Sequence, residues 1–284
     1  MTKNTIKILD PWWITGITDS EGCFSVYIKK PENLKSSHKI TLEFKITQKE
    51  HSEKILYEIL SFFGVGSVVI DNRRTITKKY HVTSIKYIIE TIVPHFNKYP
   101  CLTSKFLNFK DWAKIAELVS NKEHLKPEGI QMILDLANSM NTKRTFEDKF
   151  NYCNSTLNIK KRNNLVISES QISPNWVRAF LDGEGTLYNY IFQEELSVFS
   201  EKSKKMICDS SLEVAQNSHD IGILLALQNF FNSGYIKPKY EFNNLFECQN
   251  SRSVSRYINR DTEKIIKFLD EFPLLTRKKL DYLD

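Results

Sequence analysis

The sequence lacks the markers of several protein classes. Its five cysteines, Cys23, Cys101, Cys153, Cys208 and Cys248, are scattered, and none forms a Cys-x-x-Cys pair. The six histidines make no close zinc-type pairing with them. Spacing of this kind argues for reduced thiols, without a disulfide framework or a structural zinc. Apolar stretches are short and interrupted by polar residues, so no transmembrane helix is expected. Asp10-Pro11-Trp12 is reached almost at once, with no apolar signal core and no Arg/Ser-rich transit segment before it. A cytoplasmic chain fits, and so does one made inside an organelle. Neither a Ser-His-Asp nor a Cys-His arrangement is evident.

What remains is the balance of a globular protein, 41% apolar and 26% charged over 284 residues, enough for one large domain or two ordinary ones. The net charge of +6 is compatible with nucleic acid, but many ordinary enzymes are this basic. Its distribution is more informative. Arg73, Arg74, Lys78 and Lys79 fall in one hairpin-like stretch. Other groups are Lys160-Lys161-Arg162, Lys202/Lys204/Lys205, Lys237/Lys239 and Arg252/Arg256/Arg260. Any one group reads as a solvated surface, but groups recurring at matching places in two halves do not.

The chain is a duplication. Asp10-Pro11-Trp12-Trp13-Ile14-Thr15-Gly16-Ile17-Thr18-Asp19-Ser20-Glu21-Gly22 aligns without gaps on Ser173-Pro174-Asn175-Trp176-Val177-Arg178-Ala179-Phe180-Leu181-Asp182-Gly183-Glu184-Gly185. Phe44–Gln48 matches Leu212–Gln216, Phe62–Gly66 matches Phe230–Gly234, and Tyr99–Lys105 matches Phe272–Lys278, in the same order. Between these anchors the period changes. Phe24, Val26 and Ile28, and then Ile40, Leu42, Phe44 and Ile46, alternate with polar residues as half-buried strands do. Ser67–Asn72 and Lys79–Ser84 flank a basic turn and predict a hairpin. Ser52–Phe63 and Lys105–Val119 have helical spacing. The matching strands of the second half are Leu187–Phe192, Ser211–Gln216, Tyr235–Tyr240 and Asn250–Tyr257. The fold class is therefore α+β, with two pseudo-symmetric αββαββα halves over residues 1–120 and 173–284. Residues 121–172 have no partner. They form a connection with a helix near Pro127–Met140 and a polar, glycine-poor run after it.

Both repeated segments open with an N-cap residue, Asp10 or Ser173, followed by proline at the first helical position. Both close on glycine, a common helix stop. Each is a helix of about three turns, roughly 15–18 Å long. Gly16 with Ser20, and Ala179 with Gly183, lie four apart on one face, where small side chains let two backbones approach. Two such helices side by side would bring Glu21 and Glu184 together across a pseudo-two-fold axis. A carboxylate on the last turn opposes the helix dipole, and a bound cation removes the conflict. The carboxylates and the Ser20 and Gly183 carbonyls are hard oxygen ligands suited to Mg²⁺. Asp19 and Asp182 face elsewhere and read as helix-end or packing residues.

Ile14–Gly22 and Val177–Gly185 resemble the LAGLIDADG motif of homing endonucleases, and the later anchors are similar to further landmarks of that family over about Asp10 to Leu283. The resemblance implies a single-chain, two-motif enzyme in which Glu21 and Glu184 bind the catalytic metal. Ser20 and Gly183 then give carbonyls to it, Lys105 and Lys278 stand near the reacting groups, and Gln48 and Gln216 are the polar residues at the strand ends. Ala179 replaces the usual glycine and widens the helix contact slightly. Thr18 is more polar than the usual aliphatic residue, and Cys101 stands where leucine is common. None of these removes a metal ligand. The histidines have no matched pair at this site and receive no role.

The implied chemistry is phosphodiester hydrolysis with Mg²⁺, with Mn²⁺ as an alternative and Ca²⁺ as a non-catalytic substitute. Each acid would serve one strand, and cutting across the minor groove would leave 3′ overhangs. The two curved sheets would form a saddle whose polar faces lie in the major groove of double-stranded DNA. Candidate contacts in the first half are Ser25, Tyr27, Lys29, Lys39, Thr41, Glu43, Lys45, Arg73, Arg74 and Lys79. In the second half they are Tyr188, Tyr190, Ser211, Glu213, Lys237, Lys239 and Arg252. One helical turn per sheet gives a site of roughly 20 bp. It would be asymmetric because the halves differ at nearly every reading position, and the enzyme would act as a monomer. Two alternatives stay open: an RNA maturase that assists intron splicing, and a DNA-binding relative without activity. Abundant Lys, Asn and Ile suggest an AT-rich genome, and the resemblance points to an organellar intron and a mitochondrial location.

Overall fold

The computed structural model describes residues 9–29, 38–162, 165–198, 201–238 and 253–283. The first half runs α1 (Pro11–Glu21), β1 (Gly22–Lys29), β2 (Lys39–Lys49), α2 (Lys54–Phe63), β3 (Ser67–Asn72) and β4 (Thr77–Val82). A short α3 (Ile85–Tyr87) then passes through a π-helical turn (Ile88–Ile92) into α4 (Val93–Lys98), and α5 (Lys105–Ser120) follows. The connection holds α6 (Pro127–Ser139), α7 (Phe146–Thr156), β5 (Ile159–Arg162) and β6 (Leu165–Ser168). The second half is α8 (Pro174–Glu184), β7 (Gly185–Val198), β8 (Glu201–Asn217), α9 (Ile221–Phe231), β9 (Tyr235–Pro238), β10 (Val254–Asn259), α10 (Thr262–Glu271) and α11 (Lys278–Leu283). Among the described residues no helix is long and apolar enough to cross a membrane.

Each half folds its strands into a four-stranded antiparallel sheet of the same order, β1-β2-β4-β3 and β7-β8-β10-β9. The period-2 pattern decides which face is buried. Phe24 pairs with Phe44 across β1 and β2, and their rings stack at 5.2 Å. Phe96, Phe109 and Trp112 close over them to make the first core. Leu212, Val214, Leu224, Leu227 and Tyr257 make the second.

α1 and α8 form the seam between the halves, and both are buried almost end to end. A Cβ at Gly16 would lie 2.4 Å from the Trp176 carbonyl oxygen, and one at Gly183 would lie 2.3 Å from Ser20 Cβ. Small residues are what permit this approach, and Ala179 fits because Gly16 faces it. The two closing glycines act differently from the expectation. Gly22 and Gly185 are extended (φ −80° and −69°), not left-handed. A Cβ there would meet Thr18 or Leu181 of the preceding turn, so the requirement is steric. Left-handed helix ends do occur at Gly64 and at its counterpart Asn232.

Two further expectations are corrected. The connection holds more regular structure than its one expected helix, because the polar run after that helix takes in α7 and the β5–β6 hairpin. Cys153 and Leu157 of that part enter the second core, while Ile133 and Met140 enter the first. The hairpin of β7 and β8 extends well beyond Leu187–Phe192 and Ser211–Gln216, pairing out to Val198 with Glu201. Its outer part pairs Glu194 with Lys205 and Glu195 with Lys204, so backbone pairing continues where no apolar alternation signals it.

Candidate active site

The seam ends where both repeated helices end, which sets Glu21 and Glu184 together. Burial pushes the Glu21 carboxyl above its usual range, and the negative charge of Glu184 pushes it further. Burial also raises Glu184, against the pull of Lys105, a hydrogen bond from Gln216 and Lys278. Both lysines belong to the same arrangement. Lys105 Nζ donates to the carbonyls of Thr18 (2.8 Å) and Ser20 (3.3 Å). Lys278 Nζ donates to those of Leu181 (3.2 Å) and Gly183 (2.7 Å). Burial lowers the pKa of Lys278, while Asp182, Glu184 and Glu21 oppose that shift.

Asp19 and Asp182 hold those lysines in place. Asp19 accepts from the Leu102 and Thr103 amides, the Thr103 hydroxyl (2.6 Å) and the indole of Trp176 on the opposite helix (2.8 Å). It thereby fixes the entry to α5, whose first residue is Lys105. Asp182 accepts from the Leu275 and Thr276 amides and the Thr276 hydroxyl at the entry to α11, whose first residue is Lys278. Burial raises both carboxyls, and these donors counter it. The halves are also tied by crossed contacts: the Ser104 amide donates to Asp220 at 2.8 Å, and the Arg277 amide donates to Ser52 Oγ at 3.3 Å.

A cleft opens beside Glu21, lined by Gln48, His51, Gly183, Arg277 and Lys278. Gln48 Nε2 is buried there and has no hydrogen-bond partner among the described residues. Two carboxylates whose charge burial disfavours, together with two backbone carbonyls, are a set of hard oxygen ligands. A hard divalent cation fits it. The described residues hold no cluster of three or more His, Cys, Asp or Glu side chains suited to a metal. Water and phosphate oxygens would therefore complete the coordination, as Mg²⁺ commonly requires. The Ser20 and Gly183 carbonyls already accept from lysines, and their second lone pairs remain available.

On the outer face of the first sheet, Tyr27, Lys29 and Lys39 are exposed, as are Arg73 and Arg74 in the β3–β4 turn, and Ser25, Thr41, Lys45 and Lys79 are half-buried. Glu43 corrects the expectation of a free reading residue. It is 6% exposed and accepts from Lys79 (2.7 Å) and Tyr27 (3.2 Å), with His81 at 3.0 Å. Asp71 extends this network to Lys79 and Lys45. On the second sheet Tyr188 and Tyr190 stack at 5.8 Å and Lys237 is exposed. Glu213 is half-buried beside Arg256 at 3.5 Å. Ser211 is buried, a second correction, and Lys239 and Arg252 lie outside the described residues.

Sequence reasoning passed over His81, Asp71 and the Asp209–Arg260 pair at 3.6 Å. It also passed over a matched pair of histidines. The spacing that carries Gln48 onto Gln216 carries His51 onto His219 and Ser52 onto Asp220. Extending the Phe44–Gln48 anchor by four residues would have revealed it.

The family model described as LAGLIDADG endonuclease matches residues 14–116 and 179–284. "Probable intron-encoded endonuclease 2" of Neurospora crassa is 29% identical over 97% of this chain and 58% of its own length. "Probable intron-encoded endonuclease Cox1-I1b" of Schizosaccharomyces pombe is 26% identical over 92% of this chain and 58% of its own. "Uncharacterized mitochondrial protein RF1" of Saccharomyces cerevisiae is 24% identical over 77% of this chain and 38% of its own. The chain spans about half the length of the curated relatives it matches. Among solved structures, the homing endonuclease I-LtrWI bound to target DNA matches with a TM-score of 0.76 at 23% identity, covering 98% of this chain and 88% of that one. I-SmaMI bound to uncleaved DNA target in the presence of calcium ions matches at 0.74 and 22% identity, covering 97% and 88%. At that identity the likeness is one of fold.

Proposed function

The chain belongs to the LAGLIDADG endonuclease family, and from that premise we propose that it is a site-specific DNA endonuclease. It breaks both strands of a long, asymmetric target, with 3′ overhangs, by metal-dependent phosphodiester hydrolysis. The observation that carries this reading is the pairing of Glu21 and Glu184 at the seam end, each beside a lysine anchored by its own buried aspartate.

Glu21 and Glu184 would hold divalent cations, Mg²⁺ first among them, with the Ser20 and Gly183 carbonyls. When bound, such an ion supplies Lewis-acid charge at the phosphate and eases deprotonation of the attacking water. Lys105 and Lys278 neutralise charge that develops on the phosphate oxygens, and their anchoring means little reorganisation at that moment. Gln216 steadies Glu184, and Gln48 offers its open amide to water or phosphate in the cleft. Each glutamate serves one strand. The outer faces of the two sheets take the major groove on either side, with Arg73, Arg74, Tyr27, Tyr190 and Lys237 the most accessible groups for it. The two halves supply two different half-sites within one monomer. Intron-encoded and mitochondrial relatives support an intron-homing role and a mitochondrial location for this chain.

The paired glutamates favour an enzyme over a DNA-binding relative or an RNA maturase, because binding alone does not need them. The test is incubation of the parent and Glu184→Gln with the intron-insertion duplex and Mg²⁺. Double-strand cleavage by the parent is expected, with intact binding and no double-strand cleavage by the variant. Cleavage without divalent metal, or no cutting of any member of a randomised target library, would overturn the reading.

A further inference from the structure

Near the seam end the two halves differ at the turn that follows the central strand of each sheet. In the first half this turn is Glu50–Ser52, and in the second it is Ser218–Asp220. Each presents a histidine, yet the two histidines have opposite surroundings. His51 is exposed and lines the cleft that holds Glu21, Gln48 and Lys278. His219 is 9% exposed. Its Nε2 lies 3.3 Å from Asp220 Oδ2, and its ring meets Phe146 edge-on at 6.0 Å.

The cause lies in the connection between the halves. Phe146 begins α7, and the connection exists only once, so it covers only one of the two equivalent turns. The turn bearing His51 has no such cover. Asp220 is occupied as well, accepting from both the amide and the hydroxyl of Ser104. His219 is therefore packed as a structural side chain.

The partners of His51 prepare it for the opposite task. Ser52 Oγ accepts from the Arg277 amide at 3.3 Å and lies 2.9 Å from His51 Nδ1. The hydroxyl can accept from Arg277 and still give its proton to Nδ1. A phosphate oxygen in the cleft only accepts, so it would select the tautomer with hydrogen on Nε2. The ring is thus held by one nitrogen and offers a donor at the other, in the cleft where a phosphate would meet Glu21. The anchor is supplied by the second half and the histidine by the first.

We infer that His51 is a catalytic residue for one strand only: its Nε2–H contacts the scissile phosphate in the Glu21 cleft, while His219 is withheld from the equivalent place. The inference rests on the nuclease reading above. It makes the two cleavage events unequal for a reason built into the chain, since the same scaffold position is open in one half and covered in the other.

The test uses the full chain and a duplex recovered from a randomised plasmid library by cleavage with the parent protein. The duplex carries a different fluorophore on each strand. His51→Ala should slow cutting of one strand by roughly tenfold to a hundredfold, as expected for removal of one positioned donor, and leave the other strand's rate unchanged. Nicked duplex, always with the same strand intact, should accumulate. Affinity measured in Ca²⁺ should not change, and His51→Gln, which keeps a donor, should restore part of the lost rate. His219→Gln should leave the ratio of strand rates as in the parent. Equal slowing of both strands, no slowing, or a loss of binding that accounts for the effect would overturn the inference. If the parent cuts no member of the library, it is the nuclease reading that fails.

Discussion

Gly183 is where the seam can be tested most sharply. A Cβ there would lie 2.1 Å from Ser20 Oγ and 2.3 Å from Ser20 Cβ. The hydroxyl can rotate away, but the Cβ cannot, so Gly183→Ala must push α1 and α8 apart. Overpacking of this kind costs about 1–3 kcal/mol. The better helix propensity of alanine offsets up to about 1 kcal/mol of that. The net loss should be about 1–2 kcal/mol, or a Tm fall of roughly 2–8 °C for a protein of this size. In a Ser20→Gly background both obstructing atoms are gone, and Gly183→Ala should become neutral or slightly stabilising. Thermal unfolding of the four metal-free proteins then gives a coupling energy of about 1–3 kcal/mol. If Gly183→Ala destabilises equally in both backgrounds, close approach at this point is not the reason for glycine. Gly16→Ala is the contrasting case. Its nearest obstacle is the Trp176 carbonyl oxygen at 2.4 Å, so Ala179→Gly should not rescue it.

Asp19→Asn replaces an acceptor facing four donors with a group that must donate on one side; it should cost about 2–4 kcal/mol in urea unfolding and slow cleavage through misplacement of Lys105. Burial opposes ionisation of Glu43, but Lys79 and His81 outweigh it and hold the carboxyl below its usual range. Its stabilisation is therefore present above the ordinary carboxylate pKa and lost as pH falls through the folded value, so Glu43→Gln should cost about 1–2 kcal/mol at neutral pH and nothing at low pH. Burial lowers the His95 pKa from 6.5 to about 4 beside Phe62, Phe63 and Phe96. Stability present above pH 6.5 should fall by about 2–3 kcal/mol as pH drops toward 4, and His95→Phe should flatten that part of the Tm profile. Mg²⁺ at about 100 times its dissociation constant should stabilise the parent by about 2.7 kcal/mol and leave the Glu21→Gln/Glu184→Gln protein unmoved in calorimetry.

Sequence and structure each carried a definable share. The duplication, the two repeated helices and the half-buried strands were legible because each leaves a short-range periodic mark, although of the two expected N-caps only Asp10 makes the side-chain bond and Ser173 does not. Proline after Asp10 and Ser173, Phe24 to Ile28 in alternation, and glutamate before glycine are local facts. The two glutamates could be paired from sequence because each ends a copy of the same helix, and small residues four apart give both helices a face for close approach. Asp19 was legible as a helix-end residue but not as the anchor of α5, since its partners Leu102, Thr103 and Trp176 are distant in sequence. Glu43 read as an ordinary polar strand residue because alternation specifies a face and not its neighbours. Lys79 and His81 reach it only through the β2–β4 register.

Sequence by itself determined the number of halves, their order of elements and the carboxylates at the centre, because these follow from repeats and periods along the chain. Only the tertiary structure decided which equivalent positions remain equivalent. His51 and His219 occupy matching places in two similar sequences, and nothing local distinguishes them. A helix of the unrepeated connection covers one and not the other, and that difference in burial exists only once the chain is folded.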